Sequence, residues 1–181
     1  MLSVLVVCTG NICRSPAAQL TLAGALDDSV VVTSAGTGAL VGAPVAPPMA
    51  RLLHDDGLDT SGFVARALTA GLVESADLVL TMTRAHRAAV LDLVPAALRR
   101  SFLFTELAPL AERCGTIAGR ADDAARLAAV VAAAPRLRAG IDLRRDAPDV
   151  EDPYRRPDQV YVRVLQHVRA ETARVAAALR G

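Results

Sequence analysis

The 181-residue chain contains no lysine, a single asparagine (Asn11) and only 3% aromatic residues. A core so poor in rings has to be built from Val, Leu and Ala, and the 52% hydrophobic content supplies them. The net charge of +1 offers no basic field, so nucleic acid is not an expected partner. No apolar run nears the ~20 residues that span a bilayer, and no basic leader precedes the first one, so no membrane partner is expected either. Three cysteines, two of them in one short loop, exclude a disulfide scaffold and fit a reducing cytoplasm. The length suits a single domain over residues 1–181, with no linker, repeat or low-complexity tract dividing it.

What the chain does have is Cys8-Thr9-Gly10-Asn11-Ile12-Cys13-Arg14-Ser15-Pro16. An apolar run over residues 2–7 reads as a buried strand before it, and a helical pattern over 16–27 follows, with Pro16 suited to a first helical turn. Strand, tight loop and helix N-terminus gather backbone N–H groups and the positive end of a helix dipole around a small anion. A thiol at the strand end, Cys8, points into that ring, where the same field favours its thiolate. Arg14 can turn two parallel N–H donors toward a phosphoryl group. Ser15 can hydrogen-bond the sulfur. The amides of Thr9, Gly10, Asn11, Ile12, Cys13 and Ser15 complete an oxyanion cradle for inorganic phosphate or a similar anion. This is a nucleophile arranged for phosphoryl transfer. The loop lacks the Gly-Lys-Ser/Thr ending of a nucleotide-binding loop, which excludes ATP and GTP. A lone Asn surviving in an Arg- and Ala-rich sequence points to a local need, since Asn tolerates the left-handed backbone region.

Strands are expected over residues 30–34, 76–82 and 101–104, and helices over 47–54, 105–114, 121–134 and 157–179. The last of these carries Tyr161, Val164, Leu165, Val168, Val175 and Leu179 on one stripe, a docking face. Alternating strands and helices predict a doubly wound α/β fold, a parallel sheet with helices on both faces. Its site belongs at the carboxyl ends of the strands, where Cys8 sits. Thr83 is expected to cap the helix after the third strand, with His86 on its solvated surface. Cys114 is read as a small buried hydrophobe.

A second locus, Asp149-Val150-Glu151-Asp152-Pro153-Tyr154, precedes the last helix. A departing phenolate needs a proton, and Asp152, its backbone restrained by Pro153, is the candidate donor, with Asp149 and Glu151 competing for the role. Tyr154 can line a pocket and meet a substrate ring. Leu40, in a loop after the second strand, borders the mouth.

The stretch from Val7 to Pro16 resembles the signature loop of the low-molecular-weight protein tyrosine phosphatases, and Asp152-Pro153-Tyr154 resembles their acid loop. The resemblance implies a four-stranded sheet and a cysteine-dependent hydrolase acting on phosphotyrosine proteins through a phosphocysteine, with no cofactor and no metal. It implies that Ser34, in Ser-Ala-Gly-Thr, supports the phosphate-binding loop, and that Cys13 can form a reversible disulfide with Cys8. Two positions depart from it: Phe63 stands where relatives often carry a His that holds the loop Asn, and Thr83 stands where many carry Asp. The Ala/Arg-rich stretch 106–147 makes the chain longer than the usual member and has no functional account. Arsenate reductases, protein arginine phosphatases and an inactive phosphate-binding module share the scaffold. A single cysteine outside the loop argues against the first, and the bulky Ile12, suited to an aromatic ring, against the second.

Overall fold

The computed structural model describes residues 1–114, 122–142 and 145–181. Four strands, β1 (Leu2–Cys8), β2 (Val30–Gly36), β3 (Leu78–Thr81) and β4 (Ser101–Leu103), form one parallel sheet in the order β2-β1-β3-β4. Around it run α1 (Arg14–Ala25), α2 (Pro47–Asp55), α3 (Ala70–Glu74), α4 (Arg84–Leu93), α5 (Leu107–Arg113), α6 (Asp123–Leu137) and α7 (Asp158–Arg180).

Strand side chains alternate between faces, so each strand feeds two cores. Val4, Val6, Leu78 and Leu80 pack with residues of α1, α2, α5, α6 and α7. Leu5, Val7 and Val79 pack on the other side with Val73, Val90, Val94 and Ala97. Helices therefore cover both faces, and the doubly wound four-stranded parallel sheet stands as expected. The whole α7 stripe from Tyr161 to Leu179 is buried.

Boundaries move for local reasons. Helix α1 begins at Arg14, two residues early, and Pro16 still falls in its first turn, where no helical donor is lost. Strand β2 runs on to Gly36 because Gly36 pairs with Cys8. Strand β4 stops at Leu103, whose N–H goes to the Glu106 carboxylate at 3.1 Å. Helix α3 and the 3-10 turn Pro95–Arg100 are too short to give a periodic signal. Ala121, the expected start of α6, lies outside the described residues. Cys114 is half-buried and packs against the larger core. Among the described residues no helix is long and apolar enough to cross a membrane.

The register brings Cys8, Gly36, Thr81 and Leu103 to one edge, so the carboxyl ends of all four strands meet beside the cysteine loop.

Candidate active site

Residues 9–13 join β1 to α1. The carbonyls of Cys8, Thr9, Gly10 and Ile12 turn outward to accept the N–H groups of Thr37, Gly38, Leu40 and Ala46 at 2.8–3.1 Å. With their acceptors spent on that outer strap, the loop amides are left for the inner side. Gly36 permits the close fit: a Cβ there would lie 2.3 Å from the Thr9 carbonyl oxygen and 3.0 Å from the Asn11 nitrogen.

Asn11 is fully buried and adopts φ 54°, the left-handed conformation its residue type tolerates. Its Oδ1 accepts the Arg66 N–H at 2.9 Å, which makes the other side-chain atom the Nδ2 donor. That amide donates to Ser15 Oγ at 2.9 Å and to Ser34 Oγ at 2.8 Å. Each serine hydroxyl, having accepted, sends its own hydrogen onward. Ser34 donates to Gln19 Oε1 at 2.6 Å, and Ser15 donates to Cys8 Sγ at 2.9 Å. The Asn11 N–H also reaches the sulfur, at 3.3 Å. Two donors thus converge on Sγ, as a sulfur anion requires. Ser34 thus meets the loop through the Asn11 side chain. Phe63 takes no part in these bonds; Asn11 is held by Ser34, the Arg66 backbone and, through Ser34, Gln19. The sequence held one sign of Gln19, its place four residues after Ser15 on the same face of α1.

Arg14 is almost wholly buried. Its Nη1 donates to the Val150 carbonyl at 3.2 Å, and its Nη2 to Asp152 Oδ2 at 2.6 Å and Thr9 Oγ1 at 3.4 Å. Val150 is itself fixed, its N–H bonded to the Met82 carbonyl at 2.8 Å at the end of β3. Asp152 is half-exposed and its Oδ1 accepts the Tyr154 N–H at 3.1 Å. Its two rivals face elsewhere: Asp149 pairs with Arg84 at 2.7 Å and Glu151 with Arg163 at 3.2 Å. Of the three carboxylates, only Asp152 turns toward the loop.

Cys8, only 2% exposed, lines a cavity of about 130 Å³ shared with Thr9, Gly10, Ile12, Cys13, Arg14, Leu40, Asp152 and Tyr154. The side chains of Asn11 and Ser15 lie behind the loop. Burial, reinforced by the charges of Cys8 and Asp152, pushes the Cys13 thiol up to about 12, so it stays protonated at neutral pH.

His86 corrects the sequence reading. It is buried, not solvated, because the N-terminus of α4 packs against the carboxyl edge of the sheet and its third residue faces the loop. Its Nε2 lies 2.8 Å from Thr9 Oγ1 and its Nδ1 2.8 Å from Thr83 Oγ1. Thr83 caps α4 as expected, accepting the His86 N–H at 3.2 Å. Burial, then the Arg14 guanidinium, push His86 down to about 4, so the ring is neutral at neutral pH.

Residues 3–114 match the family model of low molecular weight phosphotyrosine protein phosphatases. The chain belongs to that family. A probable low molecular weight protein-tyrosine-phosphatase of Ralstonia solanacearum, EpsP, is 48% identical over 85 residues, 47% of this chain and 58% of that protein. The Wzb phosphatase of Salmonella typhi is 41% identical over 101 residues, 56% of this chain and 67% of the relative. Among solved structures, the tyrosine phosphatase Wzb from Escherichia coli K30, in complex with sulphate, superposes with a TM-score of 0.72 at 27% identity over 99% of both chains. The low molecular weight phosphatase architecture thus extends through α7, beyond the stretch that the family model matches.

Proposed function

We propose that this low molecular weight phosphatase hydrolyses phosphotyrosine in protein substrates, with Cys8 as nucleophile, Arg14 as phosphoryl ligand and Asp152 as acid and base. The observation that carries this reading is one cavity in which the Cys8 sulfur, met by two donors, faces an Arg14 guanidinium paired with Asp152. In the first step the Cys8 thiolate attacks phosphorus in line; the S–P bond forms as the P–O bond to the ring breaks. Asp152 gives its proton to the departing oxygen. Arg14 and the loop amides hold the equatorial oxygens, supplying the positive charge that the transferring group demands. In the second step water attacks the phosphocysteine while Asp152 takes its proton. The S–P bond breaks, inorganic phosphate leaves, and the Ser15 hydroxyl receives the returning thiolate. Ile12, Leu40 and Tyr154 form apolar walls for a substrate ring, which favours an aryl phosphate over phosphoarginine. A reactive thiol and a nearly neutral chain without a membrane-crossing helix among the described residues fit a cytoplasmic enzyme acting as one domain.

The test is turnover of p-nitrophenyl phosphate and of phosphotyrosyl and phosphoarginyl peptides by wild type and Cys8→Ser, with acid-quench capture of the phosphoenzyme. Expected are preference for the aryl substrates, a phosphate trapped on Cys8 and no turnover by the variant. Turnover that survives in Cys8→Ser overturns the assignment.

A further inference from the structure

We propose that His86 is a positioning residue for the phosphate-binding loop: its imidazole fixes the Thr9 hydroxyl and, through it, the Arg14 guanidinium. This rests on the phosphatase reading given above and adds to it a second support for the loop, separate from the Asn11 network.

The direction of the hydrogen bonds makes the case. Thr83 Oγ1 accepts the backbone N–H of His86 as the cap of α4, and the same oxygen lies 2.8 Å from Nδ1. Having accepted the cap bond, the Thr83 hydroxyl gives its own hydrogen to Nδ1. The ring's single proton then sits on Nε2 and is donated to Thr9 Oγ1 at 2.8 Å. Thr9 Oγ1 also receives Arg14 Nη2 at 3.4 Å. With two donors directed at it, that oxygen turns its own O–H outward, into the cavity that Thr9 lines beside Cys8 and Arg14. Thr9 thereby becomes a donor toward the place of a phosphoryl oxygen, and His86 sets its polarity.

The surroundings keep the ring in the form this requires. The charged groups facing it are Arg14 from α1 and Asp149 and Asp152 from the acid loop, and burial together with Arg14 holds it neutral. A doubly protonated ring would direct a second donor at Thr83 Oγ1, which already accepts the cap hydrogen, and would place a cation beside Arg14. The relay joins residues 77 apart, so its effect falls on the loop and not on α4 alone.

Three substitutions separate positioning from packing. In His86→Gln the amide reaches the place of Nε2 and keeps the contact to Thr9. In His86→Asn it reaches only the place of Nδ1, toward Thr83. His86→Ala keeps neither. With p-nitrophenyl phosphate at neutral pH, the Asn and Ala variants should lose about 10- to 100-fold in kcat/KM, and the Gln variant should remain within about threefold of wild type. Titration calorimetry with inorganic phosphate should show weaker binding by the Asn and Ala variants in the same order. In a Thr9→Val background, His86→Ala should cost less than about threefold, since its partner is already gone. Equal activity of the Gln and Asn variants, or a His86→Ala loss that persists undiminished in Thr9→Val, overturns the proposal. If His86→Ala fails to fold, the contrast between Gln and Asn decides alone. A wild type that binds phosphate but turns over no aryl phosphate defeats the phosphatase reading. The ratios of phosphate affinity then judge the role of His86: unchanged affinities overturn it, and the ordered loss supports it.

Discussion

Asp152 Oδ2 lies 2.6 Å from Arg14 Nη2, so the carboxyl group proposed to move the proton is tethered to the guanidinium proposed to hold the phosphoryl oxygens. A phosphoryl group entering the cavity competes with Asp152 for that nitrogen, and the carboxyl it releases is then beside the leaving oxygen. Asp152→Asn should therefore lower kcat on aryl phosphates by about 10²–10⁴-fold, the usual contribution of a positioned acid, with the larger loss for poorer leaving groups. The same variant should bind inorganic phosphate more tightly, because Arg14 loses an anionic competitor. Glu151→Gln, which touches Arg163 and not the loop, serves as the control and should leave kcat within about threefold.

Iodoacetamide at neutral pH should discriminate between the loop cysteines. Cys13, held up at about 12, offers almost no thiolate, so peptide mapping should find the label on Cys8 and not on Cys13. Excess inorganic phosphate should protect Cys8. Equal labelling of both cysteines counts against the arrangement described.

Substitutions at Asn11 probe the frame of the loop from within. Asn11→Ala leaves the hydroxyls of Ser15 and Ser34 and the N–H of Arg66 without their buried partner, and places Ala at φ 54°. A loss on the order of 2–4 kcal/mol in urea unfolding is expected. Asn11→Gly, which accepts that backbone conformation, should recover part of the stability and little of the activity.

Gly36→Ala acts through contact alone. Its Cβ would meet the Thr9 carbonyl at 2.3 Å, and a backbone oxygen cannot swing aside as a side chain can. The loop must move, and about a 10²-fold fall in kcat/KM is expected from a displacement of that order. Wild-type kinetics in Gly36→Ala would show that the loop tolerates the shift.

Stability should also depend on pH through His86. Its folded value, about 4, lies below the ordinary 6.5, so between those limits the unfolded chain binds more protons than the folded one. Stability from this group is complete above pH 6.5 and is lost as the pH falls toward 4, with a slope of up to about 1.4 kcal/mol per unit. The difference between urea midpoints of wild type and His86→Gln, measured from pH 7 to 4, isolates that slope. A constant difference would mean that His86 titrates normally.

The parts of the site that could be read in the sequence are those written in contiguous residues. Cys8, Arg14 and Ser15 lie within eight positions between a strand and a helix, so local geometry alone brings them together. Asn11 announced itself through its residue type, and its left-handed backbone is the need that was expected. Asp152 was favoured over Asp149 and Glu151 by resemblance and by the need for an acid; the reason the other two stand aside was not legible, since it lies in Arg84 and Arg163, each of which pairs with one of them. Gln19 and Arg66 escaped notice, and His86 was read as solvated, because their partners lie 15 to 77 positions away. On a helix read alone, a His three residues after the cap sits on a polar surface. Only the packing of α4 against the sheet edge makes that surface an interior.

The Val150 backbone is gripped at both ends, its N–H by Met82 and its carbonyl by Arg14, which clips the acid loop to the finished sheet. The group proposed as nucleophile, Cys8, and the group proposed as proton donor, Asp152, belong to opposite ends of the fold's topology, and this clip at the end of β3 is what holds the second over the first. Loss of that clip would part the two groups while leaving the cysteine loop standing on its own Asn11 bonds.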